Sequence, residues 1–180
     1  MPRKPDPNLE QAIVDASLRL LDKKGIEALT MREVAKAAHT TTPTLYERFK
    51  DRDALLEAVT DVHRDRMIMT LSDEDSLEQA GSKFLAYCRK NPNAVDLLLK
   101  RIAMNLKNRR RGPMYELVRT NLIKVDRLDA RDADELTLAT SSLIFGTAML
   151  ISALGPGNVA TELERAMLKA MRRMANPRSA

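Results

Sequence analysis

The chain has 180 residues, 44% of them hydrophobic, with 30 Lys and Arg against 25 Asp and Glu for a net charge of +5. Its one cysteine, Cys88, excludes an internal disulfide and suits a reducing compartment. The opening MPRKPDPNLEQ lacks the apolar core of a signal peptide, and the longest apolar run, Leu143 to Leu154, falls short of the ~20 residues that cross a bilayer, so a cytoplasmic protein with no membrane partner is expected.

No stretch alternates apolar and polar residues, and apolar positions recur at three- and four-residue steps, so an all-α fold of about nine helices is expected. Arg3 and Lys4, among three prolines, read either as a frayed terminus or as a basic arm touching DNA. A first helix, 8–24, carries Leu9, Ile13, Ala16, Leu20 and Leu21 inward and stops at Gly25, after which Ile26 and Leu29 anchor a loop. Thr30 and Glu33 fit a capping box that opens a short second helix with Met31, Val34, Ala35 and Ala38 on one face. His39 stands where a helix exit usually takes glycine. Thr41 is a good N-cap for a third helix, with Pro43 in its first turn. Leu45 and Phe49 point inward from that helix. Thr42, Thr44, Glu47 and Arg48, with Tyr46 to one side, are left outside. A short helix with a polar outer face, held by a partner helix, suits the major groove.

The segment TPTLYERFKDRDALL, with its -TLY--F----ALL- pattern after a capped helix, resembles the helix-turn-helix of the tetracycline-repressor (TetR) family of transcriptional regulators over roughly Asn8 to Val59. His39 replaces the family's usual glycine. The resemblance implies a DNA-binding module at 1–50 and an effector-binding and dimerisation domain at 51–180. It also implies DNA contacts from Arg32, to a guanine edge or a phosphate, and from Tyr46 to phosphate. From the residues themselves, Thr41, Thr42 and Thr44 offer hydroxyls and methyls, Pro43 apolar contact, Glu47 an acceptor for cytosine, and Arg48 a base or phosphate ligand. Lys50 and Arg52 flank the next helix start, where both suit phosphate contact. Charge gives this reading little help. Residues 1–66 hold 12 basic and 12 acidic residues, and the excess lies at 98–127, with nine basic against two acidic.

Asp51 caps a fourth helix running to about Leu71, with Leu55, Leu56, Val59 and Val62 inward early and Met67 and Met69 late. SDEDS (72–76) breaks the chain. Leu77, Ala80, Phe84 and Cys88 mark a fifth helix, ended by Asn91-Pro92. Val95, Leu98, Leu99, Ile102 and Met104 or Leu106 mark a sixth. KNRRRGP (107–113) is a basic loop. Pro113 opens a seventh helix through about Leu128, with Met114, Val118, Leu122 and Val125 inward. The eighth, 132–155, is apolar almost all round, and after GPGN a ninth, 161–174, carries Leu163, Met167, Ala170, Met171 and Met174 on one face.

A helix apolar on several sides needs burial on several sides. A homodimer supplies it, through a four-helix seam built from Leu136, Ala139, Leu143, Gly146, Leu150, Leu163, Met167 and Met171. By resemblance, a small apolar effector enters among the fifth to eighth helices. Phe84, Cys88, Leu98, Met104, Tyr115, Val118, Leu122, Phe145 and Met149 are the pocket candidates. No catalytic pair, metal-ligand spacing or cofactor motif is found, so neither an enzyme nor a cofactor is expected. The expected function is a repressor that binds a palindromic double-stranded DNA operator as a dimer and is released by its ligand. The rival is a helical small-molecule-binding protein without operator function.

Overall fold

The computed structural model describes residues 8–71 and 75–175, and these are all-α: nine α-helices, two short 3-10 turns and no strand among the described residues. Arg3 and Lys4 lie outside the described residues, as do 72–74 of the expected break. The chain divides into two compact units, one ending at His63 and the other starting at Arg64, a division that falls inside the fourth helix.

The first unit holds α1 (Leu9–Lys24), a 3-10 turn (Ile26–Ala28), α2 (Met31–Ala37), α3 (Thr42–Tyr46) and the first part of α4 (Arg52–Ile68). Gly25 ends α1 at φ 75°, a left-handed conformation that glycine adopts without strain, and its N–H returns to the Leu21 carbonyl at 2.9 Å. The buried face of α1 is turned from the expected one. Ile13, Ala16 and Leu21 are fully buried as expected, but Val14, Ser17 and Leu18 join them, while Leu9 and Leu20 are only half-buried. Ser17 is admitted because its hydroxyl donates to the Ile13 carbonyl (2.9 Å). Leu29, Val34, Leu45, Leu55 and Val59 complete this core at 0% exposure. The second half of the capping box is not made. Thr30 Oγ1 accepts from Glu33 N–H (3.2 Å), but the Thr30 N–H donates to the Ala28 carbonyl instead (2.9 Å).

The second unit is built from α5 (Leu77–Lys90), α6 (Val95–Lys107), α7 (Pro113–Lys124), α8 (Ala130–Leu154) and α9 (Asn158–Ala175). A complete capping box, Ser76 with Gln79, opens α5, and Asp129 caps α8 through the N–H groups of Arg131 and Asp132. α5 packs against α8 and α9, and α7 against α8. Phe84 and Phe145 meet edge-on with centroids 4.8 Å apart in a core that also takes Met67, Leu85, Leu98, Leu122, Met167 and Met171. Met69, expected inward, is 84% exposed, because α4 stops at Ile68 and the chain turns there. α8 begins before the apolar run expected for it and reaches 25 residues. That is long and apolar enough, by length and composition, to cross a membrane, but seven of its eight buried positions lie between Ala133 and Ala148, where it packs in this unit.

Candidate nucleic-acid interface

The turn between α2 and α3 is set by backbone hydrogen bonds. His39 takes a left-handed conformation (φ 53°), its N–H donates to the Lys36 carbonyl (3.3 Å), and the Thr40 N–H returns to Ala35 (2.9 Å). These are the two bonds of a Schellman closure, here with histidine at the position that usually holds glycine. Thr41 then caps α3: its Oγ1 accepts from the Thr44 N–H at 3.3 Å and lies 2.8 Å from the Thr44 hydroxyl. α3 has five residues, with Pro43 in its first turn. A helix this short has no stability of its own. It is held by Leu45, at 0% exposure, and by Phe49 just beyond its end.

On the outer side, Thr41, Pro43, Glu47 and Lys50 are exposed and Tyr46 is 51% exposed, with Thr42 and Thr44 half-buried. Arg32 is exposed on α2. Arg48, expected to project from the helix itself, lies past the end of α3. It is half-buried in the turn, where its N–H bonds to the Leu45 carbonyl (3.0 Å), because α3 closes at Tyr46. Arg52 departs further. Its guanidinium donates from Nε to the Leu29 carbonyl (2.8 Å) and from Nη2 to the Ile26 carbonyl (2.9 Å), so its charge ties the start of α4 to the 3-10 turn after α1. Asp51 caps α4 through the Ala54 N–H (2.9 Å).

The second unit contains a cavity of about 300 Å³ among α6, the turn before α7, α7 and α8. Tyr115 and Phe145 line it, as expected of pocket residues. The rest of its wall comes from Leu99, Ile102, Ala103, Asn105, Leu106, Arg110, Gly112, Met114, Leu138, Ser141 and Ser142, which sequence reasoning takes for core, loop or surface. The i, i+3, i+7 spacing of Leu99, Ile102 and Leu106 is the available signal, and it equally describes an ordinary packed face. Phe84 and Val118 border a void of about 30 Å³ shared with Phe145. Cys88 lines a separate cavity of about 400 Å³ between the end of α5 and the α8–α9 turn, where burial pushes its thiol up to about 12. Leu98 and Leu122 are packed core residues, and Met104 and Met149 are about half exposed on the surface.

Asp134 gathers the polar groups near the first cavity. It accepts from Arg119, from Arg111 (3.0 Å) and from the Tyr115 hydroxyl (3.1 Å), and the Arg119 hydrogen bond, foremost, holds its carboxyl below the usual range. Among the residues expected in a dimer seam, Ala139, Gly146 and Leu150 are exposed on one face of α8, and Leu136, Leu143 and Leu163 are half-buried. Met167 and Met171 are turned away from it, at 2% and 0% exposure. They pack on α5, where Gly81 leaves room: a Cβ there would lie 2.7 Å from the Met171 sulfur.

Residues 13–59 match the family described as bacterial regulatory proteins, tetR family. The tetracycline repressor protein class D of Escherichia coli is 30% identical over 116 residues, covering 62% of this chain, which thus spans about half (51%) of that relative's length. Two solved structures share the fold. A single-substitution variant of TetR from Acinetobacter baumannii AYE, in complex with minocycline, is 18% identical at a TM-score of 0.70 over 97% of this chain and 96% of that one. A tetR-family regulator from Streptomyces coelicolor is 14% identical at 0.71 over 94% and 81%. Residues 13–59 belong to the tetR family of bacterial regulatory proteins, and the chain as a whole shares the fold of the two solved structures.

Proposed function

We propose that this protein is a DNA-binding transcriptional regulator, a ligand-released repressor that binds a palindromic operator as a homodimer in the cytoplasm. The observation that carries the reading is α3: a capped, five-residue helix anchored by Leu45 and Phe49, with Tyr46 and its polar neighbours outside. Such a rod has no role in a core and fits a major groove, with Thr42, Thr44, Tyr46 and Glu47 facing bases or backbone and Arg32 and Lys50 neutralising phosphates. Arg52 is left out of the contact set, since its guanidinium is occupied by two carbonyls.

Two such rods, doubled by a two-fold axis, must lie about 34 Å apart to enter successive turns of one groove. The exposed stripe Ala139, Gly146 and Leu150 on α8, flanked by Leu136 and Leu143 and joined by Leu163 on α9, supplies a small-residue face for that axis. Ligand release then requires an effector that binds the released spacing more tightly than the DNA-bound one. The α6–α7–α8 cavity is the site for it, and the minocycline complex of the A. baumannii relative supports a ligand-responsive reading. Selection of bound sequences from random DNA tests the whole proposal. A two-fold symmetric site should be enriched, and no enrichment at moderate salt overturns it.

A further inference from the structure

The donors and acceptors around the α6–α7–α8 cavity select its occupant. Its hydroxyls have no proton to give. Ser141 donates to the Thr137 carbonyl (2.6 Å), Ser142 to that of Leu138 (3.0 Å), and Tyr115 to Asp134 (3.1 Å). Asp134, the acid behind Tyr115, is also held by Arg111 and Arg119, so its charge is met from three sides and offers nothing to a cationic ligand. The side-chain donors left in the lining are the Asn105 amide and Arg110, the one charged residue among the described residues that line the cavity.

The backbone places these two together. Arg109 is left-handed (φ 50°), and the Arg110 N–H turns back to the Asn105 carbonyl at 2.8 Å. Gly112 completes the arrangement, because a Cβ there would sit 2.7 Å from Asn105 Nδ2. The remaining wall is aliphatic and aromatic, with Leu99, Ile102 and Phe145 among its residues.

We propose that this cavity binds an organic anion: a compact apolar body against Leu99, Ile102 and Phe145, with a carboxylate taken by the Arg110 guanidinium and the Asn105 amide. A guanidinium fork matches a carboxylate in charge and geometry, and about 300 Å³ is at the small end of ligand sites. The proposal rests on the effector reading above for what the ligand would do, and adds its chemical class.

The test titrates decanoate, decanol and decylamine, each below its micellar concentration, into the full-length protein without DNA, by calorimetry. Decanoate should bind about tenfold or more tightly than either neutral or cationic analogue, the scale of one charge-assisted hydrogen bond. Arg110→Gln should bring decanoate to within about twofold of decanol, Arg109→Gln should keep the preference, and Ile102→Trp, which fills the cavity, should abolish all binding. Equal binding of the three probes, no binding at all, an undiminished preference in Arg110→Gln, an equal loss in Arg109→Gln, or decanoate binding surviving Ile102→Trp would each overturn it. If decanoate binds as described yet leaves operator affinity unchanged, ligand release fails and the class of ligand stands. If DNA selection succeeds while decanoate shows no preference, the class fails and the regulator stands.

Discussion

Arg52 Nε lies 2.8 Å from the Leu29 carbonyl oxygen, and its Nη2 lies 2.9 Å from that of Ile26. The first of these bonds joins residues 23 positions apart, and together they fix where α4 begins relative to the loop that leads into α2. Arg52→Ala should therefore lower stability by about 1.5–3 kcal/mol, the range for hydrogen bonds to a charged group. The slope of log K against log[salt] for DNA binding should stay as it is. A phosphate contact would instead cost about 0.9 of that slope, so a reduced slope with unchanged stability would refute the structural role.

Tyr46 and Lys50 give the opposite signature. Tyr46→Phe should weaken operator binding by about 0.5–1.5 kcal/mol through one lost hydrogen bond, and Lys50→Gln should lower the salt slope by about 0.9. Helicity should be unchanged in both, since both side chains are exposed. Gel-shift titrations at several salt concentrations, with circular dichroism alongside, make the comparison.

His39 tests the turn. A left-handed conformation costs an ordinary L-residue roughly 1–2 kcal/mol, and glycine avoids that cost at the expense of a floppier unfolded chain. His39→Gly should leave stability equal or raise it by up to about 1 kcal/mol, while His39→Val should lower it by about 1–2 kcal/mol. Denaturant unfolding of the three proteins would show whether the order Gly, His, Val holds.

The dimer proposal separates two kinds of apolar residue. Leu150 is 53% exposed and Met171 is buried against Gly81. Leu150→Arg should yield a folded monomer by sedimentation. Met171→Ala should remain a dimer at concentrations well above dissociation, and lose about 2–5 kcal/mol of stability. A monomeric unmutated protein at micromolar concentration would remove the seam.

Asp134 carries a pH dependence. Arg119 above all, then Tyr115 and the charge of Arg111, depress its folded pKa. A depressed carboxyl contributes stability that is present above its unfolded pKa, about 3.9, and is lost as the pH falls through the folded value. Asp134→Asn should therefore flatten the acid limb of the stability curve below about pH 4 and leave the neutral plateau lower than in the unmutated protein. An unchanged acid limb would contradict the depression.

The short-range rules in the sequence reach a long way. Thr30, Thr41 and Asp51 all cap the helices they precede, and Gly25 and His39 are both left-handed where a helix must be left. Those features depend on residues within about five positions of each other, which a linear pattern displays. The bonds of Arg52 are not legible in the sequence, where it reads as a phosphate ligand, because its partners are 23 and 26 positions away and are backbone carbonyls, which carry no residue-type signal. Met167 and Met171 fall outside the expected seam for a different reason. The apolar face of α9 is broad enough to meet either its own α5 or a second copy, and the room for Met171 on α5 comes from the absent Cβ of Gly81, far upstream in the chain. Little of the cavity is legible: of the pocket candidates only Tyr115 and Phe145 line it, whereas Asn105 and Arg110 enter through a left-handed turn at Arg109 that no glycine marks.

The division of labour in α3 has an evolutionary consequence. Leu45 and Phe49 supply the grip, and Pro43, Tyr46 and Glu47 stand outside it. On the proposed function, those three outward positions are free to drift, so descendants of this chain can acquire new target sites by substitution there without first losing the ability to fold.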